Sequence, residues 1–217
     1  MTVPEYTQNG CAASSPDKSS CHRPKNGVKI VEDVQAVLGG IAGEVQAFAD
    51  RAGIACPAGC GACCHSPNVE AMPVEMLPMA KQIIESGVFP DTSGKTCPMF
   101  RAHPTNPSLG RCGAYHVRPS VCRIFPYGFS RDKNGEARWR PCSKMTVSPE
   151  SLSVAMQDVA SGHGISYERA RLALQDLVPS LAERLPINEA LAEAIQFLGL
   201  RMDNEPRQES PHVNGGS

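Results

Sequence analysis

Eight of the ten cysteines in this 217-residue chain lie between residues 56 and 142. This clustering indicates that the chemistry of the protein depends on its thiols. Four of them form the run Cys56-Pro-Ala-Gly-Cys60-Gly-Ala-Cys63-Cys64. The small residues between these cysteines let the backbone fold tightly, and neighbouring sulfurs can then converge on one centre. Because thiolates are soft ligands that suit zinc, copper(I) and iron–sulfur clusters, the run predicts a metal site.

The remaining cysteines of this region follow at wider intervals, and we take all eight as predicted metal ligands. The eight thiols can serve two four-cysteine clusters, two zinc ions, one centre of each kind, or a single centre with cysteines to spare. Only the first half resembles the paired-cysteine knuckle of structural zinc sites, and the irregular second half favours an iron–sulfur cluster of the 4Fe-4S type, with zinc as the alternative. The later four are Cys97, Cys112, Cys122 and Cys142.

Two arginines and two histidines stand close to these cysteines. Arg118 and Arg123 flank Cys122, and guanidinium groups there would offset the negative charge of a thiolate-ligated cluster, so both are predicted to bind the cofactor. The alternative is that they are surface or backbone-capping arginines. Imidazole also binds zinc and some clusters, which makes His65 and His116 further candidate ligands.

Composition restricts the classes of partner and the compartment. A formal net charge of -1 gives no basic excess for binding nucleic acid. No secretory signal and no apolar run of about 18 residues is present, which predicts a cytoplasmic protein that does not enter a membrane. In a reducing cytosol clustered cysteines indicate metal ligands rather than disulfides. Cys11 and Cys21 form either a labile redox or metal pair or an incidental one.

The pattern of elements predicts one metal-binding domain over residues 28–202, between disordered tails at 1–27 and 203–217. The fold class is mainly α, with a small irregular cysteine-rich centre and a short β-hairpin, packed by N- and C-terminal helices. The domain divides into a helical part at 28–54, the cysteine core at 55–144 and a helical C-terminal part at 145–202.

Local signals place the elements within these parts. Gly87 is expected to end the short helix of the cysteine core, and the dipeptide Asn134-Gly135 predicts a hairpin turn that returns Cys142 to the neighbourhood of Cys122. Ser148 and Pro149 mark the start of the C-terminal helices, whose apolar stripes are read as packing surfaces. The predicted helices run over 29–51, 78–86, 149–161, 166–184 and 188–201.

The cysteine run, Gly94-Lys95-Thr96-Cys97-Pro98 and the segment from Arg118 to Pro126 together resemble the YkgJ-type cysteine-cluster family. The resemblance covers Cys56 to Cys142, and its most specific part is the pattern Arg-Pro-x-x-Cys-Arg-x-Phe-Pro. It implies a zinc- or iron-chelating domain in which all eight cysteines are ligand positions. One departure is the gap of three residues between Cys56 and Cys60, where the simplest form of the family has two. A similar domain occurs in flagellin lysine methylases.

Three functional classes remain open. The first is an iron–sulfur protein with a redox, electron-transfer or metal-handling role. The second is a zinc-stabilised structural module whose C-terminal helices bind a protein partner. The third is an iron–sulfur enzyme with an open iron site, because the spacing of Cys56, Cys60 and Cys63 matches that of radical S-adenosylmethionine enzymes. The βα alternation of that enzyme fold is absent, as are phosphate-binding glycine loops and serine-nucleophile motifs.

Overall fold

The computed structural model describes residues 27–202, and the predicted disordered tails with Cys11 and Cys21 lie outside the described residues. The first helix, α1 (Gly27–Ala52), confirms the prediction for 29–51 and extends it slightly at both ends. Its apolar face recurs at helical spacing and packs into the core. The buried residues on this face include Ile30, Val34, Leu38, Ile41, Val45 and Phe48.

Three glycines inside α1 lie where a side chain would meet open space. A Cβ atom built at Gly39, Gly40 or Gly43 has no atom within 4 Å. Glycine in a helix interior loses more backbone entropy on folding than alanine does. We expect each Gly→Ala change to raise the free energy of unfolding by about 0.5–1 kcal/mol, measured by urea denaturation. A decrease would show that these positions need glycine.

The second helix, α2 (Pro73–Ser86), begins five residues earlier than predicted. The predicted start at Pro78 was wrong: Pro73 occupies the first turn and Pro78 lies inside the helix, where burial of the surrounding apolar face offsets its missing N–H. Gly87 ends the helix as predicted, with a φ of 66° and its N–H donating to the carbonyl oxygens of Ile83 and Ile84.

The strands form three antiparallel pairs among the described residues. The predicted hairpin is confirmed, with strands shorter than the 127–133 and 136–140 that the sequence predicts, and Phe129 lies opposite Trp139. Its turn is longer than the predicted two residues, because the carboxylate of Asp132 accepts the N–H groups of Asn134 and Glu136. The other two pairs were not predicted. The pairs are β1 (Glu70–Ala71) with β6 (Leu185–Pro186), β2 (Phe100–His103) with β3 (Asn106–Cys112), and β4 (Phe129–Arg131) with β5 (Ala137–Trp139).

Within residues 27–202 four helices follow α2, and two of them depart from prediction: the short helix α3 was not predicted, and α5 is shorter than predicted. The prediction of a single helix over 166–184 was wrong, because α5 ends at Gln175 and Pro179 holds Val178 in a non-helical conformation. The hydroxyl of Ser148 caps the helix that follows it, as predicted, by accepting the N–H of Ser151 at 3.1 Å. The four are α3 (Ser120–Ile124), α4 (Pro149–Ala160), α5 (Tyr167–Gln175) and α6 (Ile187–Met202).

Two clusters of buried side chains hold the cysteine-bearing loops between the N- and C-terminal helices. In the larger one, α2 packs against α6 and α1. In the smaller one, Phe48 meets Trp139 edge to face with ring centroids 5.8 Å apart, and the Trp139 indole donates to the carbonyl oxygen of Pro126 at 3.0 Å. The fold is thus mainly α, as predicted, and the apolar stripes of α5 and α6 lie in the core.

Candidate metal centre

The loop with the first four cysteines folds tightly because of two glycines. Gly59 and Gly61 have φ values of 65° and 59°, a conformation that glycine adopts without strain. A Cβ atom at Gly61 would lie 2.6 Å from the Phe100 ring. The N–H of Gly110 in β3 donates to the Gly59 carbonyl oxygen at 3.0 Å, so the loop lies directly against the β2–β3 hairpin.

The thiols surround two adjoining cavities. One, of about 210 Å³, is lined by every predicted ligand except Cys97. Cys97 lines the other, of about 260 Å³, together with Cys63, Cys64 and Cys122. Cys142 and Cys122 line the same cavity, as the hairpin prediction required. Cys56 and Cys63 are exposed and the other six cysteines are partly exposed, so the centre is open to solvent.

Cys64 is a neighbour of both Cys63 and Cys97, and donation of its single proton to one or the other raises the pKa of Cys64. The same interactions lower the pKa of Cys63 to about 6 and that of Cys97 to about 7, against the opposing effect of burial. Cys63 and Cys97 are therefore shifted toward the thiolate form that metals bind.

The electrostatic neighbours of each thiol divide the eight into two groups that share Cys63. Burial, followed by the thiolates of Cys60, Cys63 and Cys142, raises the pKa of Cys56. Burial and then Cys97 and Cys63 raise the pKa of Cys122. The pKa of Cys112 is raised by burial and by the same two neighbours. On the basis of these neighbours, we call Cys56, Cys60 and Cys142 one end of the centre and Cys97, Cys112 and Cys122 the other, although all of them except Cys97 line the same cavity.

In the part of the chain that the structure describes, no three Cys, His, Asp or Glu side chains form a group that could hold a metal ion as they stand. The thiols are gathered around shared cavities rather than set at ligand distances from one point. Cys112 ends β3 and Cys122 lies in α3, so their backbones are held by regular structure. The run from Cys56 to Cys64 contains Gly59 and Gly61 and only one short 3-10 helix, so it is the part best able to adjust when a metal binds.

The two arginines predicted at the site have different surroundings. Arg123 donates to the carbonyl oxygens of Arg118 and His116 at 2.7 and 2.6 Å, so it fixes the loop that leads into α3. Arg118 lines the cavity, with its guanidinium carbon 3.7 Å from the centroid of the Tyr115 ring. The Nε of Arg118 is buried without a hydrogen-bond partner. An unsatisfied cationic donor beside seven thiols fits a negatively charged, thiolate-ligated metal group.

The two candidate histidines lie outside this cavity lining. The ring of His65 packs edge to face on Phe100, with centroids 4.3 Å apart. His116 is exposed beside Tyr115, and its backbone carbonyl serves Arg123. One contact at the site was not predicted: the hydroxyl of Tyr127 accepts the N–H of Cys56 at 2.9 Å. Position 127 carries no motif that could have indicated this contact, which joins residues 71 apart.

Comparison with known families decides what this arrangement belongs to. Residues 55–143 match the family model CxxCxxCC, described as "Putative zinc- or iron-chelating domain". We refer to residues 55–143 as the CxxCxxCC domain, after the family model that this segment resembles. No curated protein and no solved structure matches the chain. The CxxCxxCC domain contains all eight thiols of the centre, while α1, α4, α5 and α6 lie outside the matched segment.

Among residues 27–202, every helix is too short or too polar to cross a bilayer.

Proposed function

We propose that the CxxCxxCC domain holds iron as one or more iron–sulfur clusters, with 4Fe-4S as the favoured type. The observation that carries this proposal is the arrangement of eight thiols around two adjoining cavities of about 210 and 260 Å³. Two tetrahedral zinc ions would also use eight thiolates, but each gathers its ligands at about 2.3 Å around a single atom, whereas no three of the described side chains are grouped in that way. Clusters of iron and sulfide are larger and are held by thiolates from irregular loops.

The role that fits such a centre is reversible electron transfer or metal handling in the reducing cytoplasm. When bound, an iron–sulfur cluster supplies one-electron redox chemistry at a potential set by nearby charge and hydrogen bonds. The chain itself would supply thiolate ligands, an oriented Arg118 guanidinium, and the Tyr127 hydroxyl that holds Cys56. The exposure of Cys56 and Cys63 supports exchange of electrons or metal with an external partner.

Arg118 gives a test of the redox role. Replacing Arg118 with glutamine removes a positive charge beside the thiolates, so we expect the reduced cluster to become less stable. The reduction potential should fall by roughly 50–100 mV, the size expected for a partly screened charge. Anaerobic reductive titration followed by absorbance measures this shift.

A matched control is Arg138→Gln, because Arg138 pairs with Asp132 and Glu136 on the exposed hairpin. It should leave the potential unchanged. A wild-type protein that binds metal but shows no reversible reduction would contradict the redox role. Equal reduction potentials in wild type and Arg118→Gln would show that the Arg118 guanidinium does not stabilise the reduced cluster.

A second candidate function, an iron–sulfur enzyme with an open iron site, is favoured by the cavity that borders Cys64, Cys97 and Cys122. Its other walls are largely apolar and include Phe125 and Tyr167, so a small molecule there would contact the thiolates. Adding cyanide to the reduced cluster should change its electron paramagnetic resonance spectrum if an iron position is open. An unchanged spectrum would argue against an open iron position, and electron transfer or metal handling would then be the only proposed role.

A further inference from the structure

The core contains three buried polar or charged side chains among the described residues, Glu75, Ser120 and Asn188. Each of them makes hydrogen bonds at a segment that leads into a cysteine. Asn188 of α6 donates to the carbonyl oxygens of Gly94 and Thr96, directly before Cys97. Glu75 of α2 bonds to Ser120, the first residue of the helix that carries Cys122. Burying a polar side chain costs free energy unless it is hydrogen-bonded, so the placement of all three next to cysteine-bearing segments suggests a role in holding those segments.

Glu75 is the most unfavourable of the three to bury, because it is an acidic residue only 3% exposed and none of the ion pairs between described residues includes it. Its Oε1 accepts the N–H of Met72 at 2.8 Å, before the first turn of α2. Its Oε2 accepts the N–H of Ser120 at 2.6 Å and also the Ser120 hydroxyl. One carboxylate therefore joins the starts of two helices.

The helix α3, which begins at Ser120, is too short to be stable without contacts to the rest of the fold. With five residues, α3 is far shorter than a helix that is stable alone. Buried Ile124 fixes its C-terminal end in the core, and Glu75 fixes its N-terminal end. Cys122 lies midway between these two attachments and faces both thiol-lined cavities. The direction of the Cys122 sulfur therefore depends on the contact between Glu75 and Ser120.

We propose that Glu75 is a positioning residue of the metal centre, which holds the Cys122 thiol at the cavities through its hydrogen bonds to Ser120. This inference rests on the proposed metal-binding function, and it assigns a role to a residue that contacts no metal. Glutamine has nearly the same shape but only one acceptor oxygen, so Glu75→Gln leaves either the Met72 N–H or the Ser120 N–H and hydroxyl without an acceptor.

The experiment compares wild type, Glu75→Gln and the control Glu85→Gln, an exposed glutamate on the same helix that pairs with Lys81. The first measurement uses metal-free, reduced protein: the rate at which iodoacetamide labels each cysteine, read by peptide mass spectrometry. We expect Glu75→Gln to change the labelling rate of Cys122 relative to Cys142, with the far-ultraviolet circular dichroism unchanged. A general loss of structure would change all eight rates together.

The second measurement is the affinity for cobalt(II) alone, followed by its thiolate charge-transfer absorption. Glu75→Gln should bind roughly 10–100-fold more weakly, the usual effect of removing a group that orients a ligand. If this variant does not fold, Ser120→Ala, which keeps the backbone bond, is tested in its place with the same expectation. A folded variant with unchanged Cys122 labelling and unchanged affinity would overturn the proposal. A wild type that binds no cobalt would instead refute the metal-binding function, while the labelling result would still decide the role of Glu75.

Discussion

Replacing Cys63 with serine is expected to remove metal binding from the whole centre. Cys63 lines both cavities and is a neighbour of thiols at both ends, so its loss affects either division of the ligands. Groups that only orient a ligand are worth roughly 10–100-fold in affinity, and a direct thiolate ligand should exceed about 100-fold. Metal per chain after anaerobic desalting, with cobalt(II) affinity on the same variant, measures the loss.

Two further variants make this result specific. Cys142→Ser removes a thiol from one end and should reduce the metal content in part if there are two centres, or almost completely if there is one. Cys11→Ser changes a cysteine outside the CxxCxxCC domain and should leave metal content unchanged. Full metal retention by Cys63→Ser would show that this thiol is not a ligand.

Replacing Gly110 with alanine is expected to detach the first cysteine loop from the β2–β3 hairpin. An added Cβ atom would lie 2.4 Å from the carbonyl oxygen of Arg101 and equally close to the ring of Phe100. The backbone oxygen cannot move without breaking the strand pairing, so overpacking should cost about 1–3 kcal/mol. The shift would also disturb the bond from Gly110 to Gly59, and we expect weaker metal binding in addition to a lower free energy of unfolding.

Gly94→Ala is the control for this change. It is also a glycine in the cysteine core, but a Cβ atom there has no atom within 4 Å. Its free energy of unfolding and its metal content should match those of wild type. If Gly110→Ala unfolds at the same urea concentration as Gly94→Ala, the claim that the first cysteine loop packs closely on the β2–β3 hairpin is contradicted.

The parts of the fold that were predicted correctly depend on local patterns. The helical spacing of apolar residues located α1, and Gly87 marked the end of α2 because it takes a positive φ. The spacing and type of the cysteines indicated a shared site, and the structure gathers all eight around two cavities. Each of these signals either spans only a few residues or depends on a chemical property of the side chain that is the same wherever the residue lies in the fold.

The parts that were missed depend on distant partners. One exception is local: the apolar periodicity after Tyr167 continues past Pro179, but α5 ends at Gln175 and Val178 is non-helical before that proline. The β2–β3 pair contains Pro107 and Gly110, which resemble loop residues until the close approach of Phe100 is known. Glu75 and Ser120 are 45 residues apart, and Asn188 is 92 from Thr96, so no local pattern pairs them.

The central claim is that the eight thiols hold iron and sulfide, and one measurement tests it most directly. The full chain is purified without oxygen, and iron, acid-labile sulfide and zinc are assayed per chain on the sample whose absorption spectrum is recorded. Our account predicts a brown protein with iron and sulfide in similar amounts and a broad band from thiolate-ligated iron. A colourless protein that retains stoichiometric zinc and contains no sulfide would contradict it.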